Sequence, residues 1–186
     1  MISEEEEDKN KKIFFQGLEK QKIKFFDNNF LTDESLLFSK EIKNNNNNIP
    51  LLVWNKLIVY EKIKNYSKKG IYPNLKLLIL KNEICIQATK NIYKNTLLFE
   101  IGGEAMTNKN LNKIYLKYSN KQWCYHNFFN NNSSSSDNVK IVLNDIGNIA
   151  HFLQPSKGFS DNVEIKLFKI KESKRRVLLV YRKKII

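Results

Sequence analysis

The spacing of apolar residues along this chain changes once, near Pro73: it is helical before that point and alternating or continuous after it. Residues 13–27, IFFQGLEKQKIKFFD, read as a short amphipathic helix. LTDESLLFSKEIK (31–43) reads as a second, with Thr32 or Asp33 as its N-cap and Leu36, Leu37 and Ile42 on one face. The asparagine run at 44–48 breaks that pattern and reads as an exposed low-complexity loop. Pro50 then suits a helix start. LLVWNKLIVYEKIKNY places Leu51, Trp54, Leu57, Ile58 and Glu61 at helical spacing, with Gly70 beyond the end, and Trp54 reads as core.

Beyond Pro73 the reading is strands. LKLLILK (75–81), EICIQAT (83–89) and TLLFEI (96–101) come first, and Gly102 and Gly103 end the third. LNKIYLKY (111–118) reads as a short helix and QWCYHNFF (122–129) as a strand. NNNSSSSDN (130–138) is a second low-complexity loop. VKIVLN (139–144), VEIKLFKI (163–170) and RRVLLVYR (175–182) are further strands, the last two joined by a hairpin turn at KESK. The expectation is an α+β, β-rich chain: a tail at 1–12, a helical segment at 13–70 and a β-rich domain at 75–186. The tail, Glu4 to Asp8 followed by Lys9, Lys11 and Lys12, reads as disordered.

Charge adds a surface property. Of 186 residues, 32 are Lys or Arg and 19 are Asp or Glu, a formal net charge of +13. Such a surface attracts nucleic acid or acidic protein segments. Part of the excess follows from a composition rich in lysine, asparagine and isoleucine throughout. The basic candidates on the last strands are Lys166, Lys169, Lys174, Arg175, Arg176, Arg182, Lys183 and Lys184. Cys85 and Cys124 lack CxxC partners, and no His/Cys cluster has zinc spacing, so no metal site is expected. Two free thiols in a reducing compartment fit this usage, and a single disulfide is the alternative. No apolar run approaches the roughly 18 residues of a membrane span. The acidic N-terminus is unlike a secretory signal or transit peptide, which leaves cytoplasm or nucleus.

Three blocks of the β-rich half carry a resemblance. ICIQATKNIYKNTLLFEIGGE (84–104) has Ala88, Ile92, Glu100, Gly103 and Glu104 at matching places. IGNIAHFLQPS (146–156) is similar to the motif GNxARFxNHS, with Gly147, Asn148, Ala150, Phe152 and Ser156 matching. DNVEIKLF and RRVLLVYRKKI are similar to the strands that follow, with Asn162 at the end of the intervening loop. Together they resemble the SET domain of protein lysine methyltransferases. The resemblance implies a SET-type (β-clip) fold of small sheets with an N-terminal helical extension. It also implies a site for S-adenosylmethionine built from Glu83, Ile84, Cys85, Ile86, His151, Phe152, Gln154 and Pro155.

The departures fall on the cofactor contacts. Glu83, Ile84 and Cys85 stand where the family has Gly-x-Gly, whose missing β-carbons let the backbone approach a ligand. Gln154 and Pro155 stand where it has Asn-His, and proline has no N–H to donate. His151 replaces the guanidinium fork of an arginine. The family's last motif, with the tyrosine of its lysine channel, is expected beyond Ile186, so the SET-type domain reads as incomplete at its C-terminus. Tyr181 lies too early to take that role, and no residue is assigned a catalytic one. The resemblance therefore implies a degenerate, nuclear SET domain that binds a histone tail, a nucleosome or chromatin-complex subunits. Two alternatives stand beside it: an S-adenosylmethionine-dependent lysine methyltransferase of which this chain is part, and a basic nucleic-acid-binding domain.

Overall fold

The structure is a computed structural model that describes residues 3–25, 29–31, 50–80, 83–107, 125–127, 139–143, 145–153, 162–170 and 176–183. The chain opens with helix α1 (Glu4–Lys20). Its N-cap is Ser3, whose hydroxyl accepts the Glu6 N–H at 3.3 Å. Glu4 to Glu7 occupy its first turn, where unpaired N–H groups and the helix dipole favour negative charge. The acidic run expected to be a disordered tail is therefore the start of a helix, which continues through the segment expected to begin at residue 13. Phe14, Gly17 and Leu18 form its buried face at the spacing of successive turns. The helix stops in a Schellman motif: Ile23 N–H returns to the Leu18 carbonyl at 2.9 Å, Lys22 N–H to that of Glu19 at 2.9 Å. Lys22 adopts the left-handed φ of 56° that this ending requires.

Two short strands follow, β1 (Lys24–Phe25) and β2 (Asn29–Leu31). Helix α2 (Trp54–Ser67) is the next helix among the described residues and begins four residues after Pro50, the predicted start. It too ends on a left-handed residue, Gly70 at φ 73°, with Ile71 N–H reaching back to the Tyr66 carbonyl at 3.1 Å. Nine strands follow: β3 (Leu75–Ile79), β4 (Ile84–Ala88), β5 (Leu97–Glu100), β6 (Gly103–Thr107), β7 (Tyr125–Asn127), β8 (Val139–Val142), β9 (Ile146–Gly147), β10 (Val163–Lys169) and β11 (Arg176–Arg182). Between β9 and β10 lies a 3-10 turn, Ile149–Phe152. Leu31 is part of β2, and the rest of the helix expected over 31–43 lies outside the described residues, as do the asparagine run, the 111–118 helix and the 130–138 loop.

These strands form four small sheets. β3 and β4 pair antiparallel, with Leu77 opposite Ile86. β10, β11 and β5 form a three-stranded antiparallel sheet. β2, β6, β8 and β7 form a four-stranded one, in which β2 runs parallel to β6. β1 pairs parallel with β9, Phe25 opposite Gly147. The sequence pattern gives no sign of β1, β2, β6 or β9. The glycine pair predicted to end a strand instead opens β6 at Gly103.

Because β11 alternates, it feeds two cores. Leu178 and Val180 face a large cluster that includes Phe14, Leu18, Ile84, Phe99, Ile149 and Phe152. Val177, Leu179 and Tyr181 face a smaller one with Leu52, Tyr60, Leu97 and Phe168. The first cluster contains α1 residues and the second contains α2 residues. The N-terminal helices are thus built into the β-domain rather than held apart from it.

Candidate functional site

The GNIAHF stretch takes the form of a constrained turn. A β-carbon on Gly147 would sit 3.4 Å from Leu143 Cδ2 and 3.5 Å from the Gly102 carbonyl oxygen, so the chain runs close past its neighbours here. Asn148 is fully buried and caps the 3-10 turn, its Oδ1 accepting the Ala150 N–H at 3.0 Å. Its Nδ2 donates to the Glu100 carbonyl on β5 at 2.7 Å. One amide side chain therefore satisfies a turn N–H and a strand C=O in the dry interior, where unmet groups are costly. Ile149, Ala150 and Phe152 are buried beside it.

Glu100 is the centre of a second network. Its side chain is 1% exposed and accepts the Lys64 ammonium at 2.9 Å; Lys64 itself is 4% exposed. Tyr60 Oη donates to the same Oε2 at 2.8 Å. Tyr60, Lys64 and Ser67 form the buried stripe of α2. The sequence pattern had selected another face. Leu51, which precedes the helix, is 50% exposed, Ile58 is 54% exposed, and Glu61 is exposed too. Of that set Leu57 packs on the core, and the side chain of Trp54 lies outside the described residues. A lysine on the inner face is opposite to the usual preference, because ammonium groups are rarely buried unless paired. Its partner is remote in sequence, so no local signal marks it.

The other candidate residues separate by exposure. Ile84 and Phe152 are buried in the large core, and Ile86 packs against it half-buried. The 3-10 turn and β4 are in contact, so the two blocks are brought to one place. Ile84 and Phe152 could present only backbone to a ligand. Glu83 is exposed, and Cys85 is a half-buried free thiol 3.9 Å from the Leu78 carbonyl. His151 is half-buried, and its Nδ1 lacks a hydrogen-bond partner. Burial holds its imidazole below the usual value, although the Leu143 backbone and the Asp145 charge pull upward. At neutral pH it is uncharged. Gln154 and Pro155 lie outside the described residues, as does Cys124. On β6, burial pushes the Glu104 carboxyl up. Among the described residues no group of His, Cys, Asp or Glu could hold a metal ion.

The basic candidates divide as well. Arg182 is 5% exposed and donates through Nη1 to the Asn162 carbonyl at 2.7 Å, so its role is structural. Lys166 is exposed but bonded to Glu164 at 2.7 Å, and Lys183 is exposed. Lys169 is half-buried; Arg176 has no described side chain, and Lys174, Arg175 and Lys184 are outside the described residues. Among the described residues no helix is long and apolar enough to cross a membrane.

Four small sheets around one buried turn, with the Glu100 strand and the GNIAHF segment at their junction, are a SET-type fold. Solved structures similar to it include complexes of ATXR5 with histone H3. ATXR5 bound to histone H3.1 mono-methylated on an arginine superimposes with a TM-score of 0.71 at 15% identity, over 96% of this chain and 82% of that one. Its SET domain with di-methylated histone H3 gives 0.70, also at 15% identity and over the same shares, 96% and 82%. A structure concerned with the product specificity of histone lysine methyltransferases gives 0.52 at 14% identity, over 60% of this chain and 46% of that one. No protein-family model and no curated protein matches the chain.

Proposed function

We propose that this chain is a nuclear SET-fold module that binds histone tails on nucleosomes, alone or with chromatin-complex subunits, and does not transfer methyl groups. The observation that carries the reading is a contrast within one site. The scaffold of the turn, Glu100 to Asn148 to Ala150, is complete. The groups that would meet S-adenosylmethionine are an exposed carboxylate at Glu83, a thiol at Cys85 and a neutral imidazole at His151. The cofactor's own carboxylate finds no cation among them, and side chains replace the bare backbone that a close approach uses. These residues fit the cofactor poorly. Support for a histone ligand comes from the two ATXR5 complexes, which share the fold over nearly the whole chain.

Electrostatics narrows the ligand. The chain carries a net charge of +13, and histone tails are basic, so a free tail peptide meets like charge. A nucleosome adds DNA, which attracts exposed lysines such as Lys166 and Lys183. Intact nucleosomes should bind more tightly than the free peptide, and added salt should erode that advantage.

The test is calorimetry on the purified chain with S-adenosylmethionine and with a histone H3 tail peptide, beside nucleosome binding at two salt concentrations. Tail and nucleosome binding without cofactor binding is the expected result. Cofactor binding with methyl transfer would establish the methyltransferase alternative instead. Salt-sensitive binding to bare DNA equal to that for nucleosomes, with no peptide binding, would establish the nucleic-acid alternative.

A further inference from the structure

One link between α2 and the GNIAHF turn passes through Glu100. Its side chain faces α2 and is held by Lys64 at 2.9 Å and by Tyr60 at 2.8 Å. Its main-chain carbonyl accepts Asn148 Nδ2 at 2.7 Å. Asn148 in turn sets Ala150 N–H at 3.0 Å, the first bond of the turn that leads to His151 and Phe152. The strand is held on β11, with Glu100 opposite Leu179 and the next N–H, of Ile101, bonded to Leu178 at 2.9 Å.

We infer that Lys64 and Tyr60 of α2 are positioning residues for the GNIAHF turn, acting through the side chain and the main-chain carbonyl of Glu100. This rests on the proposed binding function and adds to it a requirement for a helix outside the resembling blocks. The physical reason is the nature of the contact. A buried ion pair is a weak source of net stability, since an apolar pair of equal volume often serves as well. What it supplies is position: Nζ and Oη meet at one oxygen, Oε2, and so fix where the Glu100 side chain, and the strand that carries it, sits beneath α2. Apolar packing would leave that position less fixed.

The experiment separates position from stability. Lys64→Met takes the cation from a buried carboxylate, so it unfolds more readily and says little alone. The double variant Lys64→Met with Glu100→Met removes both charges at similar volume and should recover the thermal midpoint. In it, the NMR resonances of the Asn148 side-chain amide and the Ala150 N–H should still move. Tyr60→Phe, which keeps the ion pair, should shift the same two resonances less. Unmoved resonances in both variants would overturn the inference, whether or not the peptide binds. A wild-type chain that binds no peptide overturns the functional reading, while the resonances still decide the positioning role.

Discussion

Gly103 passes so close to Val142 that a β-carbon on it would lie 2.6 Å from the Val142 carbonyl oxygen, and 2.9 Å from Ile141 Cγ2. The obstacle is space rather than backbone angle, because Gly103 is not in the left-handed region. The nearest atom is main chain in a paired strand, so it cannot swing aside. Gly103→Ala should destabilise the protein by about 1–3 kcal/mol, the usual cost of overpacking a filled site. Urea denaturation of the two proteins measures this, and an unchanged midpoint would count against the register of β6 on β8.

The two lysine–glutamate pairs should differ sharply in worth. Lys64–Glu100 is buried, at 4% and 1% exposure, whereas Lys166–Glu164 is open to water at 46% and 30%. Removing one partner of a buried pair costs about 3–5 kcal/mol because the other charge stays desolvated. Removing one partner of an exposed pair costs about 1 kcal/mol or less. Lys64→Met should therefore lower stability several-fold more than Lys166→Met, and the latter effect should fade in high salt.

Lys22 marks a site where stability can be raised. It is exposed and sits at φ 56° to end α1. A left-handed non-glycine residue costs roughly 1–2 kcal/mol. Glycine returns about 0.4–1 kcal/mol of that through the freedom of its unfolded chain. Lys22→Gly should then add about 0.5–1 kcal/mol net. Thermal melts would reveal it as a rise of a few degrees; a fall would mean that α1 does not end in this motif.

His151 should make stability depend on pH. Its folded value lies below the ordinary 6.5, mainly through burial. Below that ordinary value the unfolded chain binds the proton and the folded chain resists it, so unfolding takes up protons there. The contribution of His151 is full above 6.5 and is lost as pH falls toward the folded value. Glu104 acts in the reverse sense: its folded value lies above 4.5, so its contribution is full below 4.5 and is lost as pH rises through the folded value. The comparison that isolates the imidazole is denaturation of wild type and His151→Gln at pH 7 and pH 5.5. The wild type should lose stability over that interval and the variant should lose less. Parallel losses would mean that the imidazole is as well solvated as in the unfolded chain.

Much of this protein can be read along the chain. The strands with local signatures, Leu75–Ile79, Val163–Lys169 and Arg176–Arg182, lie where the alternation puts them. So does the turn motif from Gly147 to Phe152, because its buried residues and its capping Asn148 are adjacent in sequence. Periodicity and capping are local properties, and local sequence is sufficient for them. The acidic start of α1 could have been read the same way, since Ser3 and the following glutamates are a capping signal mistaken for a tail.

Tertiary structure alone decided the rest. β1 and β2 are two and three residues long and exist because β9 and β6 offer open edges beside them. The inner face of α2 was decided by Glu100, 36 positions after Lys64, because a buried carboxylate outweighs the aliphatic residues left facing water. Leaving the buried Glu100 carboxylate without a cation costs more than exposing an isoleucine, so the helix turns Lys64 inward and Ile58 outward. That choice depends on two charges meeting across the fold, and their meeting is not encoded in any one segment.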